Sequence, residues 1–327
     1  MDFNDTPEEA EFRAEARAWI DANAPKNWEE RLKNGEDMIA LSKEWQGKKY
    51  EAGWACIHWP KEYGGRDATA IQRVIWGQEE GEYAALSGVF IIGHGMIAPT
   101  LMTYATEEQK RRFLPKLASG EEIWCQLFSE PVAGSDLAGI RTRAERDGDE
   151  WTINGQKIWT SGAHYSDHGV IVTRSDPTLP KHQGLSYFFL DMKSPGVDIR
   201  PIKQVSGDSA FNEVYFDNVK IPDAQRLGEV GEGWKVSLVT LMNERVAVGS
   251  AFSFNFDEML DLASDMELEE GPALENAEVR AKLADWYVKA NGLKYGGFRM
   301  VSALSRGEIP GPEASISKLV LGKNRQN

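Results

Sequence analysis

The chain has 327 residues, 41% of them hydrophobic and 27% charged, and its 37 Lys+Arg against 51 Asp+Glu give a formal net charge of -14. These proportions belong to a globular protein with a sizeable core shared among roughly two or three folding units, and they exclude a disordered or fibrous chain. The acidic balance disfavours nonspecific binding to nucleic acid while leaving room for a local basic pocket for phosphates.

No apolar run reaches the length of a membrane span. The first segment, MDFNDTPEEAEFRAEARAW, is acidic and has neither a basic nor an apolar targeting region, so a cytoplasmic location is the default expectation. The two cysteines, Cys56 and Cys125, lack metal-ligand spacing, and the five histidines form no metal-binding pattern. Reduced thiols and no metal centre are expected.

From residue 5 to about 123 the sequence reads as helices. In TPEEAEFRAEARAWIDANAP, Thr6 is the N-cap, Pro7 takes the first helical position, Glu9 closes a capping box and Pro25 stops the helix. DATAIQRVIWGQEEGEYAA and TEEQKRRFLPKLASGEE repeat this punctuation, the latter starting at Thr106 and ending near Gly120. Between them, SGVFIIGHGMIAPTLMTYA is apolar with interspersed glycines, which predicts a buried helix lying close to a ligand or another backbone.

Near Ile123 the texture changes to strands. GDEWTINGQKIW alternates around Asn154-Gly155 and predicts two strands joined by a tight turn. HGVIVTRS, LSYFFLDM, VDIRPIK and NEVYFDNVKIP follow at short spacing, which predicts a β-barrel or sandwich of about a hundred residues. Helical periodicity returns from Trp234 in GWKVSLVTLMNERVAVGSAFSFNFDEMLDLA, then in AEVRAKLADWYVKANGLKYGGFRMVSALSRG and PEASISKLVLGKN. There is no internal repeat. The fold class is therefore α+β and multidomain: a helical domain over 1–123, a β domain over 124–231 and a C-terminal helical bundle over 232–327.

Two segments carry chemistry. FSEPVAGSD, from Phe128, strings together small residues and hydroxyls through which backbone N–H groups can approach a bulky anionic ligand. The run NGQKIWTSG then offers an aromatic wall at Trp159 and hydroxyls at Thr160 and Ser161. Taken singly, the first is also an ordinary turn and the second an ordinary strand end. Their order and spacing, followed by FNEVYFDNVKIP, resemble the acyl-CoA dehydrogenase family, flavoenzymes that oxidise the Cα–Cβ bond of acyl-CoA thioesters, and the resemblance spans essentially the whole chain.

The resemblance implies FAD as cofactor, with Gln126, Phe128, Ser129, Trp159, Thr160 and Ser161 around it, Ser161 standing where many members have threonine. It implies that Ser135 reaches a phosphate or the CoA arm and that Gly93, His94 and Gly95 approach the acyl end, although a lone histidine in an apolar run is more often a hydrogen-bonded core residue. Abstraction of a proton α to a thioester calls for a carboxylate sheltered from water. Family members place this glutamate either in a late E-G-T loop or, in isovaleryl- and long-chain types, on the first long helix after the β domain; LMNERVAVG matches the second, with Glu244 as base and Arg245 beside it. The helix around them is apolar nearly all round, which predicts burial. The implied reaction sends the α-proton to Glu244 and the β-hydrogen as hydride to flavin N5, with electrons passing on to an electron-transfer flavoprotein.

Two family features are missing before Asn327: the E-G-T loop with its preceding Gly-Gly helix, and an R-x-F stretch, where this chain reads MELEEGPALENAEVRAKL. The C-terminal domain therefore reads as incomplete. The substitution resembles a bacterial subgroup, some of whose members act on steroid-like acyl chains and form mixed tetramers. A homotetramer, a mixed heterotetramer or a dimer are the assemblies this implies. Two other readings compete with the dehydrogenase: a non-catalytic or half-site partner subunit, and a flavin oxidase or monooxygenase on the same fold.

Overall fold

The computed structural model describes residues 5–251, 256–305, 316 and 319–320. The chain forms two compact units, Met1–Ala68 with Ile75–Glu244, and Thr69–Val74 with Arg245–Asn327. Helices α1 (Pro7–Asn23), α2 (Trp28–Lys33), α3 (Met38–Glu51), α4 (Ala70–Glu79), α5 (Ala84–Ser87), α6 (Ala98–Tyr104) and α7 (Glu107–Ser119) come first. Strands β1 (Trp124–Leu127), β2 (Arg143–Asp147), β3 (Glu150–Ser161), β4 (His168–Arg174), β5 (Leu185–Asp191), β6 (Val197–Ile202), β7 (Phe211–Pro222) and β8 (Arg226–Leu227) follow. Helix α8 (Gly233–Ala251), α9 (Phe256–Asp265), a small hairpin of β9 (Glu267–Leu268) and β10 (Gly271–Pro272), and α10 (Ala277–Ser305) complete the described elements.

The helix ends form where the sequence punctuates them. The Thr6 hydroxyl accepts from the Glu9 N–H while the Glu9 carboxylate accepts from the Thr6 N–H, a reciprocal capping box. Thr106 and Gln109 do the same for α7, and Gly120, at φ 75°, closes it in the left-handed conformation that glycine adopts without a steric cost. Phe12, Trp19, Trp45, Trp54 and Trp76 form an aromatic core among the first helices, with Trp54 and Trp76 stacked at 4.7 Å.

Residues 88–104 depart from the single buried helix predicted for them. A 3-10 turn at Gly88–Phe90 leads to a π-helical turn at Gly93–Ile97 and only then to α6. Three glycines and Pro99, which has no N–H to donate, leave the α-helical ladder without the regular support it needs.

The β domain is an eight-stranded sheet in the order β6-β7-β3-β2-β4-β5-β8, with β1 pairing in parallel with β4. Among the described residues a single register pair, Arg143↔Arg174, ties β2 to β4. Trp151, Ile153, Val214, Phe216, Val219 and Ile221 of one half share a core with Cys125, Leu127, Ile171, Phe188 and Leu190 of the other. This is the barrel-or-sandwich arrangement predicted from the short strands.

Asn154-Gly155 is not a hairpin turn. β3 runs unbroken for 12 residues through it, and the chain reverses at Gly148-Asp149 instead, where Gly148 has φ 59°. The partner strand explains the difference. β7 is equally long and bulges opposite this point, and Asn154 holds Asn218 of β7 through side-chain and backbone hydrogen bonds of 3.3 and 2.8 Å.

Helix α8 starts hard against β5. A Cβ on Gly233 would lie 2.7 Å from the backbone of Leu185 and Ser186, and the Gly231 N–H donates to the Ser186 hydroxyl at 3.3 Å. Gly233→Ala is therefore expected to push the helix off the strand and to destabilise the chain by about 1–3 kcal/mol. A lowered urea midpoint would show this; an unchanged midpoint would mean that the helix start shifts at no cost.

Candidate active site

The two chemistry-bearing segments meet at the ends of β1 and β3. The Ile158 N–H donates to the Ser129 carbonyl at 2.9 Å, and the Lys157 ammonium donates to the Phe128 carbonyl at 3.0 Å and to Glu130 Oε1 at 2.8 Å. Glu130 Oε2 in turn accepts from the Arg141 N–H at 2.6 Å, and Oε1 accepts from the Thr142 N–H at 3.0 Å. Lys157 and Glu130 have side-chain exposures of 0% and 4%, so this ion pair lies in the protein interior.

Burial pushes the Lys157 ammonium down to about 8, against the opposing pull of Glu130. Burial also works against ionisation of Glu130, but Lys157 and the surrounding donors outweigh it and hold the carboxyl below its usual range. Both groups are therefore charged at neutral pH. Removing one partner of such a pair leaves an uncompensated buried charge, typically at a cost of about 3–5 kcal/mol.

Beyond Lys157 the strand is irregular. The β3–β7 register shifts between Lys157 and Thr160, and Trp159 sits there at φ 59° with 56% of its surface exposed. A large aromatic residue in the left-handed region is strained by about 1–3 kcal/mol and persists only where its surroundings enforce it. Those surroundings are visible. Lys157 and Ile158 fix the strand before Trp159, and the buried Asn212 amide donates to the Thr160 carbonyl at 2.9 Å just after it. Phe211 meets the Trp159 ring edge-on at 6.1 Å. The Thr160 hydroxyl is buried without a hydrogen-bond partner, Ser161 and Gln126 are half-buried, and Phe128 is buried.

Behind Phe128 lies the helix that carries Glu244. The Phe128 ring packs edge-on against Tyr187 of β5 at 5.8 Å, the Tyr187 hydroxyl meets Thr240 of α8 at 3.0 Å, and Thr240 meets Thr100 of α6 at 2.9 Å. Glu244 lies one turn beyond Thr240 on the same side of α8 and is half-buried, whereas Arg245 is exposed. The burial predicted all round this helix does not hold: Val236, Ser237 and Thr240 are buried, but Leu238 and Met242 are exposed by 42% and 55%.

The remaining sequence-predicted residues lie elsewhere. Ser135 is exposed on the loop after Glu130, next to Asp136, which pairs with Lys181 at 2.7 Å. Gly93, His94 and Gly95 form the π-helical turn. A Cβ on Gly93 would come within 2.9 Å of the Leu117 side chain, and His94 Nε2 donates to the Leu117 carbonyl at 2.6 Å between the rings of Phe90 and Trp59. Both residues pack against α7.

Comparison with known proteins decides the family. Residues 6–121, 125–219 and 231–327 match the N-terminal, middle and C-terminal domains of acyl-CoA dehydrogenases. The chain is 34% identical to a chain in the crystal structure of the ChsE4-ChsE5 complex from Mycobacterium tuberculosis, with a TM-score of 0.80 over 99% of this chain and 83% of that one. The chain belongs to the acyl-CoA dehydrogenase family. It is also 31% identical to a protein described as the Tcur3481-Tcur3483 steroid ACAD, at a TM-score of 0.81, covering 99% of this chain and 83% of that one. Acyl-CoA dehydrogenase FadE34 of Mycobacterium tuberculosis is 40% identical over 84% of this chain, but the match spans only 38% of FadE34. The chain covers less than two thirds of the length of the first curated relatives it matches.

The family is FAD-dependent, and the residues present suit that cofactor. An exposed indole held in a strained conformation, an orphaned buried hydroxyl at Thr160, and a backbone turn clasped at Phe128 and Ser129 are what an aromatic, hydrogen-bonding ligand would meet. Glu130, Lys157, Asn212, Tyr187, Thr240 and Thr100 escaped the sequence reading. For Lys157 a signal existed: Trp151, Ile153 and Lys157 share the inward parity of β3, so the lysine occupies a core position. Among the described residues no single helix is long and apolar enough to cross a membrane.

Burial pushes His94 down from 6.5 to about 4. An unfolded chain thus binds more protons than the folded one between these values, so the His94 contribution to stability is full above pH 6.5 and is lost as pH falls toward 4. Urea unfolding across that range should show the native protein losing stability relative to His94→Asn. Parallel curves would mean that burial leaves the imidazole titrating as it does in the unfolded chain.

Proposed function

We propose that the chain binds FAD and catalyses α,β-dehydrogenation of an acyl-CoA thioester, with Glu244 as the base. The observation that carries this reading is the contact path from Phe128 through Tyr187 to Thr240, which sets the Glu244 helix against the wall of the clasped segments. On this reading Gln126, Phe128, Ser129, Trp159, Thr160 and Ser161 hold the cofactor. When bound, FAD supplies a two-electron acceptor beside the substrate's β-carbon.

The protein's part is to position groups and move a proton. Glu244 takes the proton from Cα, on a helix fixed at its start by Gly233 on β5 and in its middle by the Thr240 hydroxyl contacts. Backbone N–H groups near Phe128 and Ser129 are placed to meet developing negative charge. Trp159 presents aromatic surface that keeps water from the reacting carbons. Ser135 and Arg245 serve the CoA arm, and Gly93, His94 and Gly95 bound the acyl end.

The description of one relative as a steroid ACAD favours a bulky, ring-bearing acyl group. An electron-transfer flavoprotein is the acceptor, and the three-part division at 1–123, 124–231 and 232–327 describes the functional domains. The two solved relatives named above each carry the names of two proteins, which favours a second reading, in which this chain is one half of a mixed assembly and contributes part of a shared site. Flavin content of the chain alone and after co-expression with a related chain separates the two.

Glu244→Gln is expected to retain FAD while slowing acyl-CoA-dependent bleaching by about 10²–10⁴-fold. An anaerobic titration with a panel of acyl-CoA esters, followed by stopped-flow absorbance, measures it. Bleaching at the native rate would place the base on another residue.

A further inference from the structure

Lys157 holds the Phe128 carbonyl and Glu130 but has no part in the proton chemistry, and its ammonium lies within the protein at the junction of the two clasped segments. Its hydrogen bond to the Phe128 carbonyl has a consequence for the next atom along. In a trans peptide the C=O and N–H point in opposite directions. Drawing the Phe128 oxygen inward onto a buried cation therefore turns the Ser129 N–H outward, away from the Glu130–Lys157 pair. The Ser129 carbonyl is independently held by the Ile158 N–H at 2.9 Å, so the peptide planes on both sides of Ser129 are fixed.

We infer that Lys157 is a positioning residue for the cofactor: its ammonium, anchored by Glu130, orients and polarises the Phe128–Ser129 peptide so that the Ser129 N–H is a strengthened donor toward the reduced flavin. A charge-assisted bond to a carbonyl is stronger than a neutral one, and hydrogen bonds in series polarise each other in a low-dielectric interior. Reduced flavin carries more negative charge at its polar edge than oxidised flavin, so the strengthened donor favours the reduced form. The same lysine begins the irregular stretch in which Trp159 takes its positive φ, so one side chain governs both walls of the site. This inference rests on the FAD-binding reading proposed above.

Lys157→Met alone leaves Glu130 with the Arg141 and Thr142 N–H groups, while Lys157→Met combined with Glu130→Gln removes both charges at similar volume. For whichever of these remains folded by circular dichroism and urea unfolding, FAD affinity is measured by fluorescence and the two-electron potential by dye equilibration. We expect at least tenfold weaker FAD binding and a potential lower by about 30 mV, the equivalent of a tenfold selective loss for the reduced form.

A second readout uses the native protein without added cofactor. Titration to alkaline pH, followed by amide NMR, should shift the Ser129 resonance together with deprotonation of Lys157. The charges facing this lysine are Glu130 from the loop after β1 and, through its field on Glu130, Arg174 from β4. A folded variant that binds FAD with native affinity and potential overturns the inference, as does a Ser129 amide that ignores the titration. Native protein that binds no FAD under any condition instead removes the reading on which it rests.

Discussion

A lysine ammonium with no exposed surface must be answered by fixed negative charge, and that requirement shapes the site more than any other contact. Lys157 is answered by Glu130, and Glu130 is shared with two backbone N–H groups of the following loop. Three separate pieces of chain are thereby tied together: the end of β1, the loop into β2 and the middle of β3. A pair of this kind adds little net stability relative to an apolar replacement, because desolvating both charges offsets their attraction. What it contributes is specificity, since few arrangements of these three segments satisfy every charge and donor at once.

The strain at Trp159 follows from that constraint. With Lys157 and Ile158 held on one side and Asn212 gripping the Thr160 carbonyl on the other, the extra residue of the bulge has nowhere regular to go. The indole is left exposed instead of folding into the β-domain core, which costs buried apolar area as well as backbone energy. Sites at which a fold gives up stability in this way are where ligand contact is to be sought. The orphaned Thr160 hydroxyl on the neighbouring residue belongs to the same pattern.

How much of this was legible depended on whether the deciding interaction was local. Capping boxes at Thr6 and Thr106 are written within four residues and formed as written. The strands β4 to β7 also carry their own alternation or apolar runs. Asn154-Gly155 misled because a turn signal is only a preference, and a long partner strand 64 residues away recruited Asn154 through Asn218. The π-helical turn at Gly93–Ile97 was invisible for a similar reason: the close approach of Leu117 and Trp124 that Gly93 permits is a tertiary fact. Lys157 is hard to read from the sequence because lysine is so rarely buried that its charge masks its inward parity.

Helix α8 shows why polar groups in an apolar helix matter for placing a side chain. A helix that is hydrophobic on most sides can slide or rotate against its neighbours with little change in buried area, because apolar contact is non-directional. Hydroxyls remove that freedom. Thr240 meets both Thr100 and Tyr187, and the Tyr187 hydroxyl left alone in the interior would lose its partner at a cost of about 1–3 kcal/mol. Rotating α8 by one residue carries Thr240 through about 100° and breaks both contacts at once. Glu244, a turn further on, inherits that fixed phase, and Tyr187, which touches both Thr240 and Phe128, relates the helix to the clasped segments. The placement of Glu244 relative to the clasped segments is thus set by two buried hydroxyl contacts and a glycine that lets the helix start against a strand.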